Sequence, residues 1–266
     1  MIPLLLVLLQ GVGFPMESQG SLGAWSFFQQ DEAHFIFARV EALVETVRTG
    51  RWSMAMGLAV DTYMGKNSYN PEMKFNIYGG HWNISLSLRA DLTRRWRARL
   101  YTDHECFHNI DMPDTSSEYM NNVKLGIVRR PAPTDVRGDL RLLPRGRLPS
   151  GWFSLGVYTP DGESFQKGHD FEWSTHTDLE MPVAGWRGLE TGGRYRWDQY
   201  FHYDGATSGR HRLEMYTRYA APAGSFELYL AGYPSDTQPF RRKEGRSFWG
   251  IRFLWPGTVS PRGESG

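Results

Sequence analysis

The chain has 266 residues, with 30 Lys and Arg against 29 Asp and Glu and a formal net charge of +1. A protein that binds nucleic acid usually carries a clear basic excess, so this near balance argues against nucleic acid as a partner. The mean hydropathy of −0.50 argues against membrane-spanning helices. Aromatic residues make up 14% of the chain, with 10 Trp and 13 Tyr. Because Trp and Tyr favour the boundary between water and lipid, this composition is typical of a protein at a membrane.

The N-terminal residues 1–14 form the longest apolar run of the sequence. This run is too short for a bilayer-spanning helix, but it has the length of a secretory signal. Small residues just before Ser21 offer a cleavage site, although no Lys or Arg precedes Arg39. We therefore predict a signal peptide at 1–20 and an N-terminal segment at 21–34. A buried N-terminal strand or helix is the alternative.

Apolar and polar residues alternate with a period of two through residues 35–255, and helical periodicity is nearly absent. The pattern predicts ten to twelve strands, with a hairpin at Gly79 and Gly80 as an alternative to one of them. The predicted strands cover 35–47, 52–63, 74–92, 96–108, 119–130, 151–159, 169–181, 187–203, 209–220, 225–234 and 246–255, with 138–147 as a further candidate.

Two folds fit this alternation. A soluble β-sandwich buries its apolar faces between two sheets, whereas a membrane barrel turns them toward lipid. The apolar stripes are about 9–11 residues long, which a tilted strand needs to cross a bilayer. They begin or end with Trp, as at Trp52 and Trp96, and the opposite faces carry charges of both signs. We therefore predict an all-β fold, a closed antiparallel up-and-down transmembrane β-barrel of about 10–12 strands, exported to the outer membrane of a Gram-negative bacterium.

The last predicted strand carries Gly250, Phe253 and Trp255 in the spacing Gly-x-x-Phe-x-Trp. This spacing resembles the C-terminal signal by which the barrel-assembly machinery recognises its clients. That signal normally ends the chain, whereas here residues 256–266 follow it, and we predict a flexible tail. The resemblance implies the assembly machinery and outer-membrane lipids as partners.

The richest chemistry of the sequence lies at residues 103–111, Asp-His-Glu-Cys-Phe-His-Asn-Ile-Asp. Alternation places His104, Cys106 and His108 on the lipid-facing side of the strand and the residues between them in the lumen. The Cα atoms of His104 and Cys106 are then about 6.6 Å apart by strand rise. A base beside a nucleophile is the arrangement that acyl transfer needs.

The register of the neighbouring strand sets the depth of this pair. Pairing Leu88 with Leu100 would place Trp82 beside Cys106. The chain's single thiol would then lie at the level of the Trp girdle, where a lipid ester can reach it.

These residues resemble the His-Glu-Ser catalytic run of outer-membrane phospholipase A, which also faces lipid. The resemblance implies His104 as the base, Cys106 in place of the serine, and Asn121 on the next strand as the partner of the histidine. It implies hydrolysis of lipid acyl esters.

A wider resemblance covers roughly residues 31–255. The stretch from Leu100 to Asp111 resembles the Leu-Tyr-His-x-Ser-Ser-His-Leu-Gly-Asp region of a family of bacterial outer-membrane barrels of unknown function. That family also has a late Gly-x-Ser-x-x-Gly-Gln-Phe stretch, which is matched in order but not in spacing by Gly232, Ser235, Gln238 and Phe240. This resemblance implies the fold and the location, and it implies no activity.

Several other interpretations of the motif stay open. His104, Cys106 and His108 are also typical of polar residues that contact lipid headgroups, or of a partial metal site, although four ligands are not visible. Acidic residues in the following loop, Asp111, Asp114 and Glu118, are candidate calcium ligands, and we expect no other cofactor. The predicted binding residues are His108, Asp111, Tyr101, Arg97 and Arg99.

The predicted lumen carries many charged residues, and no phosphate loop, zinc finger, Rossmann fingerprint or Ser-His-Asp elbow is visible. Charges of both signs predict a closed lumen filled by ion pairs, and a narrow pore is the alternative. We expect an outer-membrane barrel without an assignable activity; a lipid acyl hydrolase and a soluble periplasmic protein are the other candidates. The predicted inward-facing charges are Arg39, Glu41, Glu45, Arg89, Asp91, Arg97, Arg99, Glu214, Arg218 and Arg252.

Overall fold

The computed structural model describes residues 12–13, 17–28, 36–65, 76–109, 117–129, 141–142, 150–158, 166–221, 224–237 and 247–255. Within these residues, twelve long strands belong to one sheet. They are β1 (Glu17–Phe27), β2 (Ile36–Thr49), β3 (Trp52–Gly65), β4 (Asn76–Asp91), β5 (Trp96–Asn109), β6 (Glu118–Arg129), β7 (Ser150–Tyr158), β8 (Phe171–Trp186), β9 (Leu189–His202), β10 (Thr207–Ala221), β11 (Gly224–Asp236) and β12 (Ser247–Trp255). Two-residue strands at Val12–Gly13, Arg141–Leu142 and Gln166–Lys167 pair with β2, β8 and β6.

Each long strand pairs antiparallel with the long strands before and after it in the chain, and β12 pairs with β1. In that last pairing Trp249 lies opposite Ser26, and Gly250 lies opposite Trp25. The sheet therefore closes on itself. The predicted closed antiparallel barrel is confirmed. It has twelve long strands, the upper limit of the predicted range. The β-sandwich alternative is wrong, because one continuous ring of strands replaces two facing sheets.

The first barrel strand lies where the sequence predicted none. Residues Glu17–Phe27 pair with β2 and β12, although we assigned 1–20 to a signal peptide and 21–34 to an N-terminal segment. The outward face of this strand carries one large apolar side chain, Leu22, so the period-two signal is weak. Cleavage before Ser21 stays a prediction.

Two ambiguous stretches have different outcomes. Of residues 74–92, the structure describes 76–92, which contain the single strand β4 and no hairpin, because Gly79 and Gly80 pair with both neighbouring strands within it. Of the candidate strand 138–147, the structure describes Arg141–Leu142, which adds a short pairing to β8. The predicted tail 256–266 lies outside the described residues.

Large apolar side chains point outward along most of the barrel wall. They include the predicted stripe of β3, in which Trp52, Met54, Met56 and Leu58 are all exposed. The inward positions carry buried Ser, Asp, Glu, Arg, Lys and His instead. An apolar exterior around a polar interior is the arrangement of transmembrane β-barrels and the reverse of a water-soluble protein.

The described residues contain no helix that is long and apolar enough to cross a membrane.

The two ends of the barrel differ in the length of their connections. At one end, called here the short-turn end, most connections are brief: 50–51, 92–95, 187–188 and 222–223, with 130–149 as the exception. At the other, called here the long-loop end, the connections are 28–35, 66–75, 110–117, 159–170, 203–206 and 237–246.

Gly250 of the predicted C-terminal signal has a packing role in β12. A Cβ atom at this position would lie 2.4 Å from the ring of Tyr229 and 2.8 Å from the carbonyl oxygen of Ala24. The glycine therefore lets the Tyr229 ring lie against the backbone of β12. Recognition by the assembly machinery is a separate matter and stays a prediction.

Candidate active site on the outer wall

The outward face of β5 changes from apolar to polar toward the long-loop end. Leu100 is 47% exposed on this face, whereas Asp103 and Glu105 point into the lumen and are buried. A polar group turned toward lipid is costly, so this change marks either the membrane boundary or a functional site. The polar outward residues are Thr102, His104, Cys106 and His108.

His104 is held by a hydrogen bond from the next strand. It lies opposite Asn121 of β6, and its Nδ1 atom is 2.7 Å from Asn121 Oδ1. Because an amide oxygen only accepts, this contact places the proton on Nδ1 and leaves Nε2 with a free lone pair. The predicted hydrogen-bond partnership of His104 with Asn121 is therefore present.

Cys106 lies on the same face, two residues further along β5. Leu88 pairs with Leu100 as predicted, and this register puts Trp82 opposite Cys106 on one side. Tyr119 of β6 is opposite on the other side. The thiol is free and partly exposed. The geometry thus places a thiol beside a histidine at the level of two interfacial aromatic side chains.

His108 continues the polar face toward the loop. Its Nδ1 atom is 2.9 Å from Ser117 Oγ, and the rings of His108 and Trp82 are edge to face at 4.8 Å. Asp111 and Asp114 lie outside the described residues, so their proposed role in calcium binding stays a prediction. The described residues contain no group of three or more His, Cys, Asp or Glu that is suited to a metal ion.

The other predicted binding residues lie on the opposite side of the same wall. Tyr101 is buried in the lumen and contacts Ser154 Oγ at 3.1 Å. Arg97 donates to Asp91 at 2.7 Å, and the Arg99 guanidinium lies 3.9 Å above the Tyr101 ring. The structure therefore brings His104, Cys106, Asn121 and His108 together, and separates Tyr101, Arg97 and Arg99 from them.

Ion pairs fill much of the lumen, as predicted from the inward-facing charges. The Glu227 carboxylate is fully buried and accepts hydrogen bonds from Arg194 at 2.9 and 3.0 Å and from Arg218 at 2.8 and 3.0 Å. Arg252 donates to the same carboxylate. Charge-assisted contacts of this kind hold β9, β10, β11 and β12 together from inside the barrel.

A second group of charges joins the opposite wall. His81 lies between two carboxylates, with Nδ1 3.1 Å from Asp61 and Nε2 3.2 Å from Glu105. Lys124 donates to Asp103 at 2.8 Å. Because all of these side chains are buried, they take space that a water-filled channel would need.

Two cavities, of about 270 and 570 Å³, remain between these groups in the part of the barrel that the structure describes. Both are lined by Arg39, Glu41, Asp178 and Arg196. An ion that moves along the lumen would have to pass charges of both signs at this shared wall. We therefore expect no steady single-channel current when the protein is reconstituted in planar bilayers. Large, stable currents would favour the pore alternative.

Two Ser-His-Asp arrays on the lumen side were not predicted from the sequence. Ser174, His176 and Asp198 are joined by contacts of 2.9 and 2.9 Å. Ser208, His202 and Asp170 are joined by contacts of 2.9 and 2.5 Å. The sequence shows Ser and His residues near predicted strand ends. Which of them come into contact depends on the register between neighbouring strands, and hydropathy alternation does not give that register.

The fold and the lipid-facing polar patch define a transmembrane-type β-barrel with a candidate hydrolytic site in its outer wall. No protein-family model matches the chain, and no curated protein matches it in sequence. One similar solved structure is outer membrane phospholipase A from Escherichia coli, with a TM-score of 0.48 and 8% identity, covering 91% of this chain and 97% of that chain. Another is LpxR from Salmonella typhimurium, with a TM-score of 0.46 and 9% identity, covering 89% and 99%.

Proposed function

We propose that this protein resides in a bacterial outer membrane and hydrolyses acyl esters of lipids at its outer wall. The location is supported by the closed barrel and its apolar exterior. In such barrels the longer loops face outside the cell, so the long-loop end would be extracellular and His104 would lie near the outer leaflet. Export by a signal peptide and insertion by the barrel-assembly machinery belong to the same proposal.

The hydrogen bond between His104 Nδ1 and Asn121 Oδ1, at 2.7 Å, carries the catalytic part of the proposal. It fixes the tautomer and the orientation of a histidine that stands beside the only thiol of the chain. A structural role in headgroup binding does not require a fixed imidazole with a free Nε2 atom. A base held by a third group next to a nucleophile is the common arrangement for acyl transfer.

The chemistry would use this chain's side chains in the following order. Cys106 Sγ attacks the ester carbonyl carbon, and its proton moves to His104 Nε2. The carbon–oxygen bond to the lysolipid breaks, and the departing alcohol takes that proton. Water, deprotonated by His104, then cleaves the thioester to release the fatty acid and restore the thiol. Asn121 holds the imidazole ring throughout.

The test is release of fatty acid from phospholipid in mixed micelles by the purified, folded barrel, with and without calcium. We expect release by the wild type and a fall to background in Cys106→Ala. Cys106→Ser, which restores a hydroxyl nucleophile, should retain measurable release. Thr102→Ala, on the same outward face, is the matched control and should leave the rate unchanged.

Lipid A should be supplied as a second substrate, because its ester-linked chains also lie in the outer leaflet. Absence of release from both lipids by heat-modifiable wild-type protein would rule out the hydrolase. Equal release by wild type and Cys106→Ala would do the same. Either result would leave a non-catalytic barrel as the better account.

A further inference from the structure

A Ser-His-Asp array lies on the inner side of the wall at the long-loop end. Asp170 directly precedes β8, His202 is the last residue of β9, and Ser208 is the second residue of β10. Asp170 Oδ1 is 2.5 Å from His202 Nδ1, and His202 Nε2 is 2.9 Å from Ser208 Oγ. Three neighbouring strand ends thus bring a carboxylate, an imidazole and a hydroxyl into one line.

The order of the contacts determines where the protons lie. The Asp170 carboxylate only accepts hydrogen bonds, so His202 carries its proton on Nδ1 when the ring is neutral. Nε2 then accepts, and the Ser208 hydroxyl donates to it. This is the ground state of a serine nucleophile that is activated by a histidine base, with the base oriented by a carboxylate.

Exposure separates this array from the second one. The side chains of Asp170 and His202 are 56% and 13% exposed and Ser208 is buried, so the carboxylate end of the array opens toward water at the mouth of the barrel. The Ser174–His176–Asp198 array has the same connectivity, but Ser174 is fully buried and Asp198 is also paired with Arg196 at 3.1 Å. The Ser174–His176–Asp198 array is therefore closed off from water within the barrel wall, and it serves as an internal comparison.

The surroundings hold the His202 ring in place. Phe171 packs against it edge to face at 4.9 Å, and Phe171 belongs to a buried cluster with Met120, Tyr158 and Tyr200. Nearby, burial lowers the pKa of His169 to about 4, so this second imidazole is neutral at pH 7. Asp170 therefore orients His202 without a competing positive charge from His169.

The position of the array also limits its substrate. Trp173 and Phe201 stack on the outer surface at 3.5 Å, close to the strand ends that carry Asp170 and His202. Aromatic pairs of this kind mark the level of the membrane boundary. Ser208 faces inward at that level, so the acyl chains of bilayer lipids do not reach it from the side. A substrate ester would therefore have to approach from water at the barrel mouth, past the exposed Asp170.

We propose that Ser208, His202 and Asp170 form a second acyl-transfer site that acts on water-accessible acyl esters. Ser208 Oγ bonds to the ester carbonyl carbon, and its proton passes to His202 Nε2. The alcohol leaves with that proton. Water then hydrolyses the acyl-serine to a carboxylic acid and regenerates the hydroxyl. This site does not depend on Cys106, and the two sites differ in nucleophile and in the side of the wall they face.

The experiment uses the full chain in detergent micelles, with a fluorescent fluorophosphonate as the probe and phenyl acetate as the substrate. We expect the probe to label the wild type on the peptide that contains Ser208. Labelling should be lost in Ser208→Ala and should fall at least 100-fold in rate in Asp170→Asn, in which the histidine loses its carboxylate. Ser174→Ala, in the sealed array, should label like the wild type.

Heat-modifiability on gels establishes that each variant is folded. A folded wild type that does not react with the phosphonate would overturn the proposal, as would labelling that persists in Ser208→Ala. The phosphonate reports on serine, whereas a maleimide reports on Cys106. Failure of the site at Ser208, His202 and Asp170 can therefore be distinguished from failure of the lipid-facing site at Cys106.

Discussion

Replacement of Glu227 with glutamine is expected to destabilise the folded barrel by about 1–3 kcal/mol, the usual cost of leaving buried hydrogen-bonding groups without their partner. The Glu227 side chain is 0% exposed and is shared by Arg194, Arg218 and Arg252. The amide keeps the size of the side chain but removes its charge. Each of the three guanidinium groups would lose one charged partner and keep another carboxylate, Glu180, Glu190 or Glu214.

Glu41 provides the matched control for this substitution. Its side chain is 43% exposed and has one cationic partner, Arg39, at 3.0 Å. Glu41→Gln should therefore cost less than about 1 kcal/mol, because exposed pairs are screened by water. The measurement is urea unfolding of the protein in lipid vesicles, followed by Trp fluorescence. Equal shifts for the two variants would show that the Glu227 cluster does not hold the barrel together.

Replacement of His104 with alanine is expected to lower the rate of lipid ester hydrolysis by about 10²–10⁴-fold, the range for loss of a general base. The substitution removes the group that takes the thiol proton and leaves Cys106 in place. Asn121→Ala should lower the maximal rate by a smaller factor and change KM little, since Asn121 orients the base and does not touch the substrate. Steady-state release of fatty acid from mixed micelles measures both.

The chain offers another outward histidine, on a different strand from His104, as the control. His211 Nδ1 is 2.8 Å from the Tyr195 hydroxyl on the neighbouring strand, so it resembles His104 in being held from the next strand. It has no cysteine beside it. His211→Ala should leave the rate unchanged. A similar loss in both variants would point to a general effect on the barrel and would count against His104 as the base.

Period-two alternation predicted most of the fold because each strand has two environments, lipid and lumen. In β3 and β4 every second residue is apolar over a long stretch, and both strands were placed within two residues of their observed ends. The first strand was missed because its outward face has little apolar content. The strand number stayed between ten and twelve because 138–147 was a doubtful strand and 74–92 a possible hairpin; the twelfth long strand is instead β1.

The candidate site was predicted only in part, for a reason of register. Residues of one strand, such as His104 and Cys106, follow from alternation, and Asn121 was found through a resemblance. The array of Asp170, His202 and Ser208 depends on which positions of three strand ends are neighbours. Connections such as 203–206 set that relation through turn geometry, which a hydropathy pattern does not carry.

The alternation of β5 also restricts how this protein can change during evolution. His104 and Cys106 face outward while Asp103 and Glu105 face inward, so inserting or deleting one residue in mid-strand would exchange the two faces beyond that point. Buried carboxylates would enter the lipid, and the histidine and thiol would enter the lumen. Length changes in descendants of this chain should therefore be confined to the connections, or occur within strands in steps of two.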